Sequence, residues 1–246
     1  MASLFQRFRG YRRRKRAAAK LGFSFHRSRD FRAPSCIRLL GKEHDLHLPD
    51  DHGTRVAFLD ILLDDCYALR DLPKNVGSVL DIGAHAGLFS LAARVRFPDA
   101  TIHAYEPNPE MQRFLAQQSE AARFSVFPEA VGLESGRVSI KPGQDSVHTK
   151  IVQDPQSDIP CISFSEAIGR IRKEPILVKL DCEGCEWEIL CDADAWQRVE
   201  SLTMEYHLWA GYTLIELKKR IESLGFSIKY LSDTEDKFGI LTARRA

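Results

Sequence analysis

The chain has no apolar run approaching the roughly 20 residues a bilayer-spanning helix needs, and no short apolar stretch of the kind that directs export. It also has no internal repeat, and no low-complexity stretch after its first residues. A helical membrane protein and a repeat array are excluded. Hydrophobic residues make up 44% of 246 positions, enough for one sizeable core without disulfides, so one main domain in a cytoplasmic protein is expected.

Acids are missing from residues 1–29, which hold ten Lys or Arg, while the remainder carries 25 basic and 34 acidic groups. The net charge of +1 therefore hides a basic arm ahead of a mildly acidic body. Such an arm suits an anionic membrane surface, a partner or nucleic acid; a solvated, frayed start is the alternative. Leu4, Phe5, Phe8 and Tyr11 recur at helical spacing among arginines, the pattern of an interfacial helix peripheral to a membrane.

Cysteine is sparse. Six residues, Cys36, Cys66, Cys161, Cys182, Cys185 and Cys191, sit in apolar contexts, so reduced thiols are expected. Cys182-x-x-Cys185 lacks the second CxxC or His pair that would complete a zinc site.

After residue 23 the pattern becomes informative. Ile37, Leu39, Leu46 and Leu48 alternate around Gly41-Lys42 as in a hairpin, and Thr54 to Leu69 has helical spacing that would pack over a ligand-binding sheet edge. Strands are then expected at 78–82, 101–105, 125–131, 176–181, 201–207, 227–231 and 238–243. Helices are expected at 88–96, 109–122, 165–171, 185–191 and 213–224. The alternation predicts an α/β fold, a Rossmann-like seven-stranded mostly parallel sheet with helices on both faces and an antiparallel last strand. Between 132 and 160 the helical signal gives way to an inserted hairpin, in which His148 reads as a surface residue.

Three motifs stand at predicted strand ends, where open α/β sheets bind ligands: V-L-D-I-G-A-H-A-G from Val79, A-Y-E-P-N-P from Ala104 and V-K-L-D-C-E-G from Val178. Gly83 permits a tight turn and Gly87 a close helix start. The dinucleotide spacing G-x-G-x-x-G is absent, which counts against an NAD-dependent oxidoreductase. Asp81 would repel a pyrophosphate but suits the ammonium of an amino-acid-bearing cofactor, favouring S-adenosylmethionine. Glu106, aimed by Pro107, can accept from both ribose hydroxyls. Glu129 is placed to accept from an adenine amino group, with Ala130 and Val131 packing the ring.

With these residues the chain resembles class I S-adenosylmethionine-dependent methyltransferases and, among them, the FkbM family, from about Tyr67 to about His207. The most specific segment is V-K-L-D-C-E-G-C-E-W-E-I-L, in which Lys179, Asp181, Glu183, Gly184 and Glu186 keep the family pattern. His85 stands where the family usually has Asn, at a position that meets the cofactor. The resemblance implies O-methylation of a hydroxyl on a sugar, glycan or natural product. Charge, spacing and the strand–helix pattern divide the chain into a basic arm or helix (1–22), a hairpin and helix packing on the core (23–75) and the expected methyltransferase domain (76–246).

Methyl transfer to oxygen requires alignment, exclusion of water and removal of a proton. Asp181 and Glu183 follow the fourth strand, and Glu205 and His207 share one face of the fifth. His207 or Asp181 is the expected base, with Glu183 orienting the acceptor. A variant has Asp181, Glu205 and His207 holding a divalent metal. Asp181 and Glu183 would also suit a helix start near Cys185 without doing chemistry. A non-catalytic binding module tethered by the arm fits the cradle but not the acids at the strand ends. Nucleic acid is disfavoured as substrate because D-C-E-G is not the Asn/Asp-Pro-Pro-aromatic turn of amino-methylating enzymes.

Overall fold

The structure, a computed structural model, describes residues 4–141, 150–209, 211–232 and 237–245. His148 lies outside the described residues. Helix α1 (Leu4–Lys20) leads into the hairpin β1 (Cys36–Leu39) and β2 (Lys42–Asp45). Ala17, Ala18 and Leu21 of this segment are buried in the core. Arg13 lies 2.9 Å from Asp64, and Arg14 pairs with Asp64 and Asp60. The basic segment is thus a docked helix, not a frayed arm.

Helix α2 (His52–Phe58), capped by the Asp51 side chain, runs into a π-helical turn, Leu59–Leu63. The spacing predicts one helix to Leu69. It stops earlier because Asp65 and Ala68 adopt positive φ, 58° and 53°, which an α-helix cannot carry.

The main sheet follows as β3 (Ser78–Ile82), α3 (Leu88–Arg96), β4 (Thr101–Tyr105), α4 (Pro109–Ala122) and β5 (Ser125–Phe127). Then come β6 (Ala130–Gly132), β7 (Gly136–Lys141), β8 (Lys150–Gln153), β9 (Ile159–Ser163) and α5 (Phe164–Gly169). The chain closes with β10 (Ile176–Leu180), α6 (Glu186–Ile189), α7 (Ala193–Trp196), β11 (Val199–His207), α8 (Leu214–Ser223), β12 (Phe226–Leu231) and β13 (Phe238–Arg245). The seven-stranded order is β12-β13-β11-β10-β3-β4-β5, with β13 antiparallel to both neighbours and the other pairs parallel.

One predicted strand divides. The segment 125–131 breaks at Pro128: Ser125–Phe127 stays in the main sheet, while Ala130–Gly132 joins a second sheet ordered β6-β9-β7-β8. The insertion read as a hairpin is therefore part of a four-stranded sheet.

Side-chain alternation splits the core in two. Val79, Ile102, Ala104 and Leu177 face α3, α4 and the N-terminal elements, whereas Leu80, Ile82, Val178, Leu180 and Met204 face α5 to α8. Strands β3 and β10 are buried along their whole length, as parallel strands covered on both faces are. On the first face this leaves polar residues, Asp81, Lys179, Thr203 and Glu205, which lead to the site.

Candidate active site

Asp81 and Lys179 are directly paired in the β3–β10 register, so their side chains share a face. Lys179 Nζ lies 3.3 Å from Asp81 Oδ1, at ion-pair distance but off hydrogen-bond alignment, and donates to the Gly83 carbonyl at 2.6 Å. Ser90 Oγ donates to the other Asp81 oxygen at 2.7 Å. Asp81 is fully buried, and its charge is answered from within the protein. Asp81 is expected at a cofactor ammonium; in the structure it pairs with Lys179 beneath the turn. Burial would lower the Lys179 pKa, but Asp81 and Asp181 outweigh it and raise it.

Above this pair the chain turns tightly. Gly83 has φ 76°, and a Cβ there would stand 1.8 Å from the Asp181 carbonyl oxygen, so only glycine lets the β3 and β10 ends come together. His85 also has positive φ, 49°, a conformation that Asn and His tolerate better than most residues. Its backbone N–H donates to Glu106 Oε2 at 2.7 Å, and Asn108 N–H donates to Oε1 at 2.9 Å. Gly87, φ 84°, begins α3, pressed against Leu115 and Phe124 and not against the sheet.

A cavity opens over these strand ends. It is lined by Gly83, His85, Glu106, Pro107, Ala130 and Asp181 among others, with Ala57 of α2 and Ile61 of the π-helical turn covering it on one side and Ile140 and Ile151 of the second sheet on another. Each Glu106 oxygen accepts one backbone bond and keeps a further lone pair on the cavity side, which suits the ribose contact expected of it. Burial raises its pKa, partly offset by those two N–H groups. Glu129 also lines the cavity, with Arg170 donating to both of its oxygens, and Ala130 and Val131 line it beside Glu129. Apolar walls with one ribose-binding carboxylate fit an adenosine-containing ligand.

A second cavity adjoins the first. Ala130, Val131, Ile151, Cys182 and Glu183 line both, and His207, Trp187, Glu188 and Trp209 line only the second. Glu183 is thus at the junction, held in the left-handed region at φ 56°. The turn carrying it is organised by Glu186, a fully buried carboxylate that accepts from Cys182 N–H at 3.0 Å and Gly184 N–H at 2.9 Å. Glu186 also bonds His207 Nδ1 at 3.1 Å, leaving Nε2 4.0 Å from Glu183. Asp181 accepts from the Tyr67 hydroxyl at 2.8 Å and lies 3.6 Å from Lys179.

The turn also joins Cys182 to Cys185 in a disulfide, correcting the expectation of six reduced thiols. The tight turn sets their Cα atoms 5.7 Å apart, a normal disulfide separation. Cys36, Cys66, Cys161 and Cys191 are free.

The electrostatic surroundings of His207 bear on the choice of base. Burial would lower the His207 pKa, but the Glu186 hydrogen bond and the charges of Glu186, Asp181 and Glu183 overcome it and push it up to about 9. His207 is an imidazolium at neutral pH, not the near-neutral base expected from its type. Glu205 is pushed up to about 8, chiefly by burial and then by Asp181. The donor atoms that lie within 4.8 Å of one another belong to Asp181, Glu183 and His207, so Glu183 replaces Glu205 in the expected metal trio.

Sequence reasoning passed over three residues: Tyr67, Lys179 and Glu186. The last two were visible within the third motif but carried no role; Tyr67 gave no signal, since only the fold brings it to β10.

Several known proteins are similar to this chain. Residues 81–228 match the methyltransferase FkbM domain. The hexuronic acid methyltransferase AglP of Haloferax volcanii is 33% identical over 182 residues, covering 71% of each protein. The 31-O-demethyl-FK506 methyltransferase FkbM of Streptomyces tacrolimicus is 36% identical over 221 residues, covering 70% of this chain and 81% of that one. A crystal structure of methyltransferase FkbM from Methylobacillus flagellatus KT superposes with a TM-score of 0.48 at 15% identity, over 80% of this chain and 56% of that one. These matches displace the NAD-dependent oxidoreductase alternative. With the domain match spanning more than half the chain, the protein belongs to the FkbM methyltransferase family and is a methyltransferase.

Proposed function

We propose that the protein is an S-adenosylmethionine-dependent O-methyltransferase whose acceptor is a hydroxyl of a carbohydrate or natural product. The observation that carries this reading is the junction of two cavities at Cys182 and Glu183, with Asp181 lining the first, one side suited to an adenosine-bearing ligand and the other open to an acceptor. The names of two relatives, a hexuronic acid methyltransferase and a 31-O-demethyl-FK506 methyltransferase, support the acceptor class.

S-adenosylmethionine, when bound, supplies an already activated methyl group. The protein's part is to align, desolvate and deprotonate. Glu106 receives the ribose hydroxyls, and the Gly83 turn allows close backbone approach. Glu183 orients the acceptor hydroxyl at the junction, and Asp181 takes its proton. His207, as an imidazolium braced by Glu186, balances the charge of Glu183. The excess of acids here is suited to a cationic cofactor, so turnover is expected to survive chelation of divalent metals.

Titration calorimetry with S-adenosylmethionine and with NAD tests the cofactor, and binding of NAD alone would overturn it. Asp181→Asn is expected to bind cofactor normally while methyl transfer, read as a 14 Da mass gain in host extracts, falls about 100-fold or more. Wild-type turnover by that variant would remove Asp181 as the base.

A further inference from the structure

The docking of α1 sorts its basic residues by face. Arg14, Ala17, Ala18 and Leu21 point inward at helical spacing, while Lys15, Arg16 and Lys20 are exposed. Arg14 Nη1 donates to Ser28 Oγ at 2.7 Å, which brings the exposed Arg27 and Arg29 alongside the helix. None of these five exposed cations pairs with an acid among the described residues. The acids that α1 does meet, Asp60 and Asp64, are taken up by Arg13 and Arg14 on its inner side.

The structure therefore separates two functions within one basic segment. Arg13 and Arg14 fix the helix, while Lys15, Arg16, Lys20, Arg27 and Arg29 are exposed and pair with no acid among the described residues. We propose that this outward face docks on an anionic phospholipid bilayer. Charge complementarity supplies the attraction, because a surface of anionic headgroups is a sheet of negative potential matched by clustered Lys and Arg. The first turns of α1 hold Leu4, Phe5 and Phe8 and the half-exposed Tyr11 follows, the composition of helices that lie at the headgroup boundary. Nucleic acid fits less well, since the cations stand on an exposed helix face and not in a groove lined with stacking aromatics.

The face also bears on the site. Helix α1 packs on the π-helical turn Leu59–Leu63, and Ile61 of that turn lines the cofactor-side cavity. Membrane docking thus bears on the helix that braces the cavity wall, and it holds whatever the acceptor is.

Flotation of the full chain with vesicles of phosphatidylglycerol and phosphatidylcholine, beside vesicles of phosphatidylcholine alone, tests the surface. Binding to the anionic vesicles only, and its loss as salt rises, is expected. Each clustered cation near such a surface contributes about fivefold, so Lys15→Gln, Arg16→Gln and Lys20→Gln together should weaken binding by about 100-fold. These side chains are solvated, so the triple variant should melt like the parent. Removing the helix would instead expose core residues. Equal flotation on both vesicle types, or a triple variant that floats like the parent, would overturn the proposal. So would retention on RNA or duplex DNA at a salt concentration that releases the protein from vesicles, which would assign the face to nucleic acid.

Discussion

Lys179 stands in the middle of a strand buried on both faces, where an ammonium is costly unless paired. It is tolerated because Asp81, in register beside it, and Asp181, two residues on, surround it with negative charge. Lys179→Met should therefore destabilise the protein by about 3–5 kcal/mol, since it leaves Asp81 buried and unpaired; denaturant unfolding reads this directly. Restoring neutrality with the double variant Lys179→Met, Asp81→Asn should recover much of the loss. At the opposite end of the site Glu106→Ala should weaken S-adenosylmethionine binding about tenfold or more in calorimetry and also lower the melting temperature, since the His85 and Asn108 N–H groups lose their acceptor. Both residues were legible as parts of motifs. The roles were not equally legible: Glu106 ends its strand as expected, whereas Asp81 meets Lys179, a residue of a strand far along the chain that is its neighbour only in the sheet.

At the scale of the element, the turn from Asp181 to Glu186 is the decisive piece. Its backbone is set by one buried carboxylate, Glu186, which ties two turn N–H groups and orients His207. Glu186→Gln keeps the size but removes the charge that sustains the imidazolium. The alkaline limb of the pH–rate profile near 9 should then shift downward, with kcat reduced more than the cofactor Kd; an unmoved limb would deny Glu186 this positioning role. Gly83→Ala should fail differently, by forcing β3 and β10 apart at their ends, and is expected to lose cofactor binding outright. Elements themselves were read well where apolar period and stop signals agreed: α3 and α4 coincide with the predicted 88–96 and 109–122. They were misread where a backbone break had no periodic signature, as at the positive-φ Asp65 and Ala68, or where a strand changed sheets at Pro128.

For the whole molecule, the crowding of acids makes stability depend on pH. Glu205 is raised from 4.5 to about 8 and His207 from 6.5 to about 9, so both hold protons in the folded state that the unfolded chain would release. Their stabilising effect is complete below the unfolded values and is lost as pH rises through the folded ones. The melting temperature should accordingly decline between about pH 5 and 9, and Glu205→Gln should flatten the lower part of that decline and raise the melting temperature at pH 8. A melting temperature that climbs across this range would refute the electrostatic account.

The sequence by itself determined the α/β alternation, the three strand-end motifs and the resemblance to one methyltransferase family, because period, glycine spacing and motif residues are local properties of the chain. Only the tertiary structure decided which of the acids meet cationic side chains within the protein. That Lys179 occupies Asp81, that Arg170 occupies Glu129 and that three acids keep His207 charged are consequences of strand register and burial. Proximity and dielectric, which set charge and reactivity, exist only once distant segments are packed together.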